Sequence, residues 1–543
     1  MSKIKILSLG GLNENGKNTY VIEIDNKIFV MDSGLKYAND SMLGIDYIIP
    51  DYNYLVQNRK KIVGVFLTHA HPENMGGIRD LCSLIPEIKV YCTKYTKKYL
   101  ELDGFNHNIF EVVPYKKISF DGLSVFPISV SHSVPDAVMY VINTKDGAIV
   151  YTGDFIIDPS MQGKYSMDIG KIAYIGKQGV LCMLADSAFS ERPGHTSPNH
   201  RLTNFFRDSI NRSEGRVIFT VLPIHLFTIE EIFEAAENTR RKVVVMGKKL
   251  QSVINMAMHE GYLKDYKKIM GDLSNINDKN SILLVCDDKE KPYVAIDRIV
   301  SGYDKFITLN KEDTIIFAEP RYDENEKVVV RIENEIAMLG ANTISIPKDK
   351  EISQHASQED LMLMIDLLKP TYYMPVEGEY RYMVNNADLA TKLGIDNKNI
   401  ILKTNGEIVK INNKKLIECY DKIDVSNVLI DGNTNDDIGE LVIKDREMLS
   451  ENGIVLISAT LDKNTKKILI GPEMTTRGFI YIKDSKEMID NVKKISLEII
   501  ENNINNNYVD YNNIKLEIRE KLSKYFYNET ECKPMIIAVI QEV

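Results

Sequence analysis

Two of the nine histidines, His69 and His71, stand two residues apart directly after the apolar run Val63-Gly-Val-Phe-Leu67. Neutral imidazole is a good zinc ligand, and two imidazoles that emerge where a strand ends and the chain turns can share one ion. Gly76-Gly77 behind them supports such a turn. A chance surface pair is the plain alternative, but histidines are so few here that the ligand reading is favoured. Asp154, in Tyr151-Thr-Gly-Asp154, also closes an apolar run. A carboxylate there can bridge two metals, one on each oxygen. Asp32 ends the run Lys27-Ile-Phe-Val-Met31, and by itself such a residue is more often a turn former than a site residue. His132, in Ser131-His-Ser-Val-Pro135, is by itself a structural histidine.

These side chains must be held by strands. In the first 210 or so residues, short apolar runs end in Gly and Asp, and Val63–Leu67, Glu87–Tyr91 and Ala148–Tyr151 read as strands. From 216 to 345 a strand-then-helix rhythm follows: strand Arg216–Val221, helix Thr228–Asn238, strand Arg241–Met246, helix Lys248–His259. That alternation predicts a parallel-sheet α/β unit. Gln358–Leu368 reads as a helix stopped by Lys369-Pro370. Residues 431–440 are polar and turn-rich, which predicts a linker nearby. Asp484-x-x-Glu487 reads as a capping box ahead of an apolar helix face of Met488, Val492, Ile495 and Ile499. The Asn-rich stretch Glu501–Asn513 reads as a loop and Pro534–Ile540 as a closing strand.

A chain of 543 residues is too long for one core, so two to four domains are expected. Six scattered cysteines without a Cys-x-x-Cys argue against a disulfide framework and a cysteine zinc site, and point to a reducing cytoplasm. No apolar run reaches the length of a membrane span, and no secretory signal is expected. The net charge of −10 disfavours non-specific nucleic-acid binding, which runs on a basic field. Any RNA contact must use a local groove, or metal ions that offset phosphate charge.

The order Asp, His-x-His, His, Thr-Gly-Asp resembles the metallo-β-lactamase fold. Ala185-Asp186-Ser187, Glu351-Ile-Ser-Gln-His355-Ala-Ser-Gln-Glu-Asp360 and Met374-Pro-Val-Glu377-Gly-Glu-Tyr-Arg381 resemble motifs of its β-CASP nucleic-acid-processing branch. Asp431-Gly-Asn, Asp437-Ile-Gly439, Gly471-Pro-Glu-Met-Thr-Thr-Arg-Gly-Phe479 and the ending Lys533-Pro-Met535 resemble the ribonuclease J family in particular. The resemblance spans essentially the whole chain. It implies a metallo-β-lactamase αββα sandwich with an inserted β-CASP α/β domain and a small C-terminal α/β domain. The expected boundaries are 1–208 and 356–435 for the two parts of the first domain and 209–355 for the insert. A linker is expected at 436–455 and an oligomerisation domain at 456–543. It also implies 5′-to-3′ exoribonuclease action, with endonucleolytic cleavage, in ribosomal RNA maturation and messenger decay. One or two zinc ions, RNA, and ribosomal or RNA-decay machinery are the implied partners.

Carried over position by position, His69, His71, His132 and Asp154 match the ligands of the first metal, and Asp186 and His355 the catalytic pair. The second metal would need ligands at positions that here hold Glu73, Asn74 and Glu377. Asparagine is a poor zinc donor, while Glu73 and Glu377 remain weak oxygen ligands. The second site is therefore either empty or carboxylate-rich, favouring manganese or magnesium. If it is empty, crowded negative charge at Glu73, Asp154 and Glu377 should raise at least one carboxylate pKa. The substrate pocket departs as well. Leu222-Pro223-Ile224-His225 puts a proline, which has no N–H, where a phosphate donor is expected. Glu351, Ser353, Gln354 and His355 form the altered clamp, with Gln354 in place of a glycine. The implied reading is a subunit with impaired catalysis, resembling the weakly active member of a ribonuclease J pair. It would form a homo-oligomer, or a hetero-oligomer with an active paralogue. The alternatives are a competent exoribonuclease with altered metal preference and a non-catalytic RNA-binding scaffold.

Overall fold

The computed structural model describes residues 2–38, 42–196, 201–291, 293–319, 325–347, 350, 354–432, 440–479, 486–505 and 508–543. They form two compact units, one of Met1–Lys36 with Ile49–Asn427, the other of Tyr37–Ile48 with Val428–Val543.

The first unit holds two sheets packed face to face. In the eight-stranded sheet the spatial order is Lys415–Ile417, Val409–Asn412, Lys3–Gly10, Thr19–Ile24, Lys27–Met31, Ile62–Phe66, Val90–Cys92, Ile109–Glu111. The six-stranded sheet runs Tyr372–Val376, Val180–Asp186, Gly147–Tyr151, Val138–Thr144, Leu123–Ser129, Ile118–Phe120. Side chains alternate across a strand with a period of two, so each strand feeds two layers. Tyr140, Ile142 and Ile149 meet Ile22, Phe29 and Phe66 between the sheets. Met139, Val141 and Val150 point the other way, onto Ile172, Leu361, Met364 and Leu368 of the covering helices Ile169–Gln178 and Gln358–Leu368. Both faces are buried, which is why these strands read as continuous apolar runs. Later segments complete sheets begun by earlier ones: Tyr372–Val376 pairs in parallel with Val180–Asp186, and Val409–Asn412 pairs with Lys3–Gly10.

Between those segments lies a five-stranded parallel sheet, ordered Lys242–Met246, Ser281–Val285, Val217–Thr220, Thr314–Phe317, Asn342–Ser345. The strand-then-helix rhythm is present with shifted ends, the helices being Leu226–Glu237 and Lys248–Glu260. Gln358–Leu368 has the bounds that the sequence predicts.

In the second unit, strands Ile454–Leu461, Ile468–Arg477 and Met535–Glu542 bury one face on helices Lys486–Asn502 and Tyr511–Thr530. Alternate residues Val455, Ile457, Ala459 and Leu461 are the buried set. Two expectations change here. Glu440–Asn452, inside the span expected as a linker, is helical. The Asn-rich stretch is a helix end, a short hairpin of Ile504–Asn505 with Tyr508–Val509, and the start of a helix whose first turn Asp510 caps by accepting the Asn513 amide. Asp484, first residue of the expected capping box, lies outside the described residues.

Candidate metal centre

Strands Lys27–Met31 and Ile62–Phe66 are parallel, and so are Gly147–Tyr151, Val180–Asp186 and Tyr372–Val376. Parallel strands bring their carboxyl ends to one edge. Asp32, His69, His71, Asp154, Asp186 and Glu377 all sit at or just past such ends. His132 follows Leu123–Ser129, tied by a bridge between Ser131 and Ile156. Two glycines let the loops close: a Cβ on Gly34 would stand 1.7 Å from the Glu73 carbonyl oxygen, and Gly153 has φ +55° with Thr68 against it.

His69, His71, His132 and Asp154 each offer a ligand atom, and these atoms lie within 4.8 Å of one another, all buried. The three imidazoles make a near-regular triangle, with centroids 4.6, 4.4 and 4.6 Å apart. Burial, reinforced by the neighbouring histidines, pushes the His69 and His132 pKa values well down, so both are neutral, the form that binds metal. His69 Nε2, His132 Nδ1 and both Asp154 oxygens are buried without a hydrogen-bond partner. Buried polar atoms are rarely left so unless something fills the gap, and these donors are what a divalent transition metal binds. The residues present fit such an ion.

Beside this cluster the pattern changes. Asn74 is buried, and its amide donates to Asp32 Oδ2 at 3.0 Å. Asp32 also accepts the Thr68 amide at 2.7 Å, the Thr68 hydroxyl and the Tyr151 hydroxyl at 2.8 Å. It is thus a brace that ties Thr68, next to His69, to the opposite sheet. Burial lifts its pKa to about 6 against those four donors. Glu377 has φ +58° and is buried with Oε2 unpartnered. Burial, with Asp186 nearby, raises its pKa to about 7, and burial with Glu377 nearby raises Asp154 well above the carboxylate range. Glu73 goes the other way. Burial opposes its charge, yet His71, 3.4 Å away, outweighs that and holds its pKa near about 2.

Asp154, Asp186 and His355 form a second buried group of converging ligand atoms. Asp186 Oδ2 stands 2.9 Å from His355 Nδ1. Burial disfavours the imidazolium, but the Asp186 carboxylate prevails and pushes the His355 pKa up to about 9. The pair is held from behind: Asn386 donates to the Asp186 carbonyl, Ser187 to the Val376 carbonyl, and Asp360 fastens the loop at His195 and the Thr196 amide.

Leu222, Pro223 and Ile224 are buried apolar residues, and the His225 amide is spent on the Leu222 carbonyl. His225 stacks on His71 at 5.6 Å, and Gln354 Nε2 lies 2.6 Å from its Nε2. Burial drives the His225 pKa down to about 3, so it accepts from the amide and carries no charge for a phosphate. Glu351 and Ser353 lie outside the described residues. Sequence reasoning missed the bracing by Thr68, Tyr151 and Asp360. Their only signal is their place one to three residues from a candidate ligand or inside the Gln-Glu-Asp stretch.

Two facing sheets with a histidine-rich centre at one edge define the metallo-β-lactamase fold class. Residues 12–163 match the metallo-beta-lactamase superfamily, 214–336 the ribonuclease J beta-CASP domain, 348–401 the Zn-dependent metallo-hydrolase RNA specificity domain, and 441–543 the ribonuclease J C-terminal domain. The chain belongs to the ribonuclease J family. It is 35% identical over 549 residues to Ribonuclease J2 of Bacillus subtilis (strain 168), covering 99% of each chain. It is 31% identical to Ribonuclease J 2 of Staphylococcus aureus (strain MRSA252), over 99% of this chain and 98% of the relative. A crystal structure of a protein of unknown function from Enterococcus faecalis V583 shares the fold, with TM-score 0.52 and 16% identity, over 75% of this chain and 100% of that one. No helix among the described residues is long and apolar enough to cross a membrane.

Proposed function

We propose that the chain is a cytoplasmic RNA-processing subunit of the ribonuclease J type, with one strong metal position and impaired hydrolysis, working in an oligomer with an active paralogue. His69, His71, His132 and Asp154 would hold the ion, zinc by donor type. A cation there supplies Lewis acidity toward a phosphodiester and lowers the pKa of water. The chain's own residues do the rest. Asp186 orients His355 through Nδ1, which leaves Nε2 to hand a proton to the departing ribose oxygen. Asp32 keeps Thr68, and through it His69, in register. The domain limits proposed are 1–208, 209–355, 356–435 and 456–543.

One observation carries the impaired reading: the Asn74 amide, at a position where the family resemblance expects a metal-binding imidazole, is turned to Asp32 and serves the brace. In the substrate pocket Pro223 has no N–H to offer a phosphate, and loss of one well-placed transition-state donor typically reduces rate about 100- to 1,000-fold. The test is purified protein with 5′-monophosphorylated RNA and zinc, manganese or magnesium in turn. RNA binding with very slow nucleotide release is expected. Rapid release that His132→Ala abolishes would overturn impairment, and two tightly held zinc ions per chain would overturn the single-site reading.

A second reading has its own support. Asp154, Asp186 and His355 converge beside Glu377, an oxygen-rich set that suits manganese or magnesium. Activity that appears with manganese and not zinc would favour it.

A further inference from the structure

At the carboxyl ends of strands Lys242–Met246 and Ser281–Val285 lies a cavity of about 370 Å³. None of its lining residues belongs to the metal centre. Ligands of parallel α/β sheets bind characteristically beyond the carboxyl ends of the strands. The floor is apolar, from Met246, Val285 and Ile299, while Tyr303 and Phe306 stand at the rim, 81% and 59% exposed. Two large rings thus stand in water on one short loop, at the edge of one hollow.

The loop is built to hold them out. Asp304 accepts the Phe306 and Ile307 amides at 2.9 and 3.0 Å and is bonded by Arg298 Nε at 3.0 Å, while the Tyr303 amide closes on the Arg298 carbonyl at 2.9 Å. Gly302, at φ +74°, makes the turn. The backbone that carries the rings is therefore held in place, which lowers the ordering cost of the loop on binding. The wall also carries Asp288, which accepts the Lys248 amide at 2.8 Å, and Asp287, which accepts the Lys289 amide at 2.9 Å; the cations of the lining, Lys248, Lys305 and Arg298, offset their charge and that of Asp304. Lys248 and Lys305 belong to the same lining.

We propose that this cavity is a second RNA contact, in which an unpaired base of a single strand stacks on Tyr303 and Phe306 while Lys248 and Lys305 face the flanking phosphates. Aromatic rims beside cationic side chains are how proteins hold single strands without reading sequence. An acidic chain needs such local devices to bind a polyanion at all. The proposal rests on the RNA-processing reading and adds a place of contact to it.

The experiment measures binding of fluorescent single-stranded RNA to the full-length protein, for wild type, Tyr303→Ala/Phe306→Ala and Tyr303→Phe/Phe306→Tyr. The substituted rings are exposed, so thermal melting should coincide among the three and serves as the folding control. The alanine pair is expected to weaken binding at least fivefold, the effect of losing a stacked base by truncation being roughly five- to 150-fold. The conservative pair should retain wild-type affinity. A 4-thiouridine strand should photo-crosslink to the peptide bearing Tyr303. Equal affinity of wild type and alanine pair, with no crosslink there, would overturn the second contact and leave the RNA reading standing. Failure of wild type to bind RNA at all would sink both. Saturable binding of adenosine 5′-monophosphate that depends on the two rings, without an effect on RNA, would reassign the cavity to a free nucleotide.

Discussion

Two buried polar clusters in the first unit are treated in opposite ways. In the inserted parallel sheet, Arg216 and Asp313 are 1% and 2% exposed, and their fork closes on itself. Arg216 gives Nε to Asp313 Oδ1 at 2.9 Å and Nη2 to Oδ2 at 2.5 Å, with further bonds to the Ile276 and Thr308 carbonyls. Asp313 takes the Asn310 amide besides. At the edge of the two facing sheets, by contrast, His69, His132, Asp154 and Glu377 keep unpartnered atoms. A structural network saturates its own donors and acceptors. A ligand centre leaves them open, and the fold must supply the stability elsewhere.

That contrast can be broken by experiment. The largest change should come from His132→Ala. Metal analysis by mass spectrometry is expected to fall from about one divalent ion per chain to none, since the open cluster loses an imidazole. The same substitution should alter the melting of metal-free protein less than Arg216→Ala does, and the reverse ranking would dissolve the distinction between the clusters. Arg216→Ala strands a buried carboxylate and should lower stability by about 3–5 kcal/mol in chemical denaturation, with metal content unchanged. Next, Asn74→His with Glu377→His supplies two imidazoles to the altered half of the centre. A second bound ion and roughly 100-fold faster RNA cleavage are expected, and no gain in either would show that the loss lies outside those two positions. Gln354→Gly frees His225 and reopens space for a phosphate. About tenfold tighter binding of 5′-monophosphorylated over 5′-hydroxyl RNA is the expected gain, the size of one charge-assisted hydrogen bond.

In the first cluster His69, His71 and Asp154 were legible because each follows a buried strand, and an apolar run ending in His-x-His or Gly-Asp marks both the element and its end; His132 entered only through the family resemblance. Gln358–Leu368 was legible for a similar reason: a proline two residues past its end forbids continuation. The brace on Asp32 was not. Its partners Thr68, Asn74 and Tyr151 come from three places in the chain, and only the register of the two sheets joins them. Nor was the Gln354–His225 contact, which unites segments 129 residues apart. At least one raised carboxylate was expected, and Asp154 and Glu377 are both raised; the depressed Glu73 was not legible, because its His71 neighbour is invisible to a count of like charges. The Asn-rich tract misled because a single Asp510 cap outweighs weak local helix preference.

The segment Tyr37–Ile48 belongs to the same compact unit as Val428–Val543. There Ile45 and Ile48 pack with Leu429, and Arg446 reaches the Leu43 carbonyl at 3.0 Å. The tail is thus stitched to a loop that begins some four hundred positions earlier. A stop codon after Asn427 would strip the cover from two buried isoleucines, so trimming this chain to its first unit calls for redesign of 37–48 along with the cut.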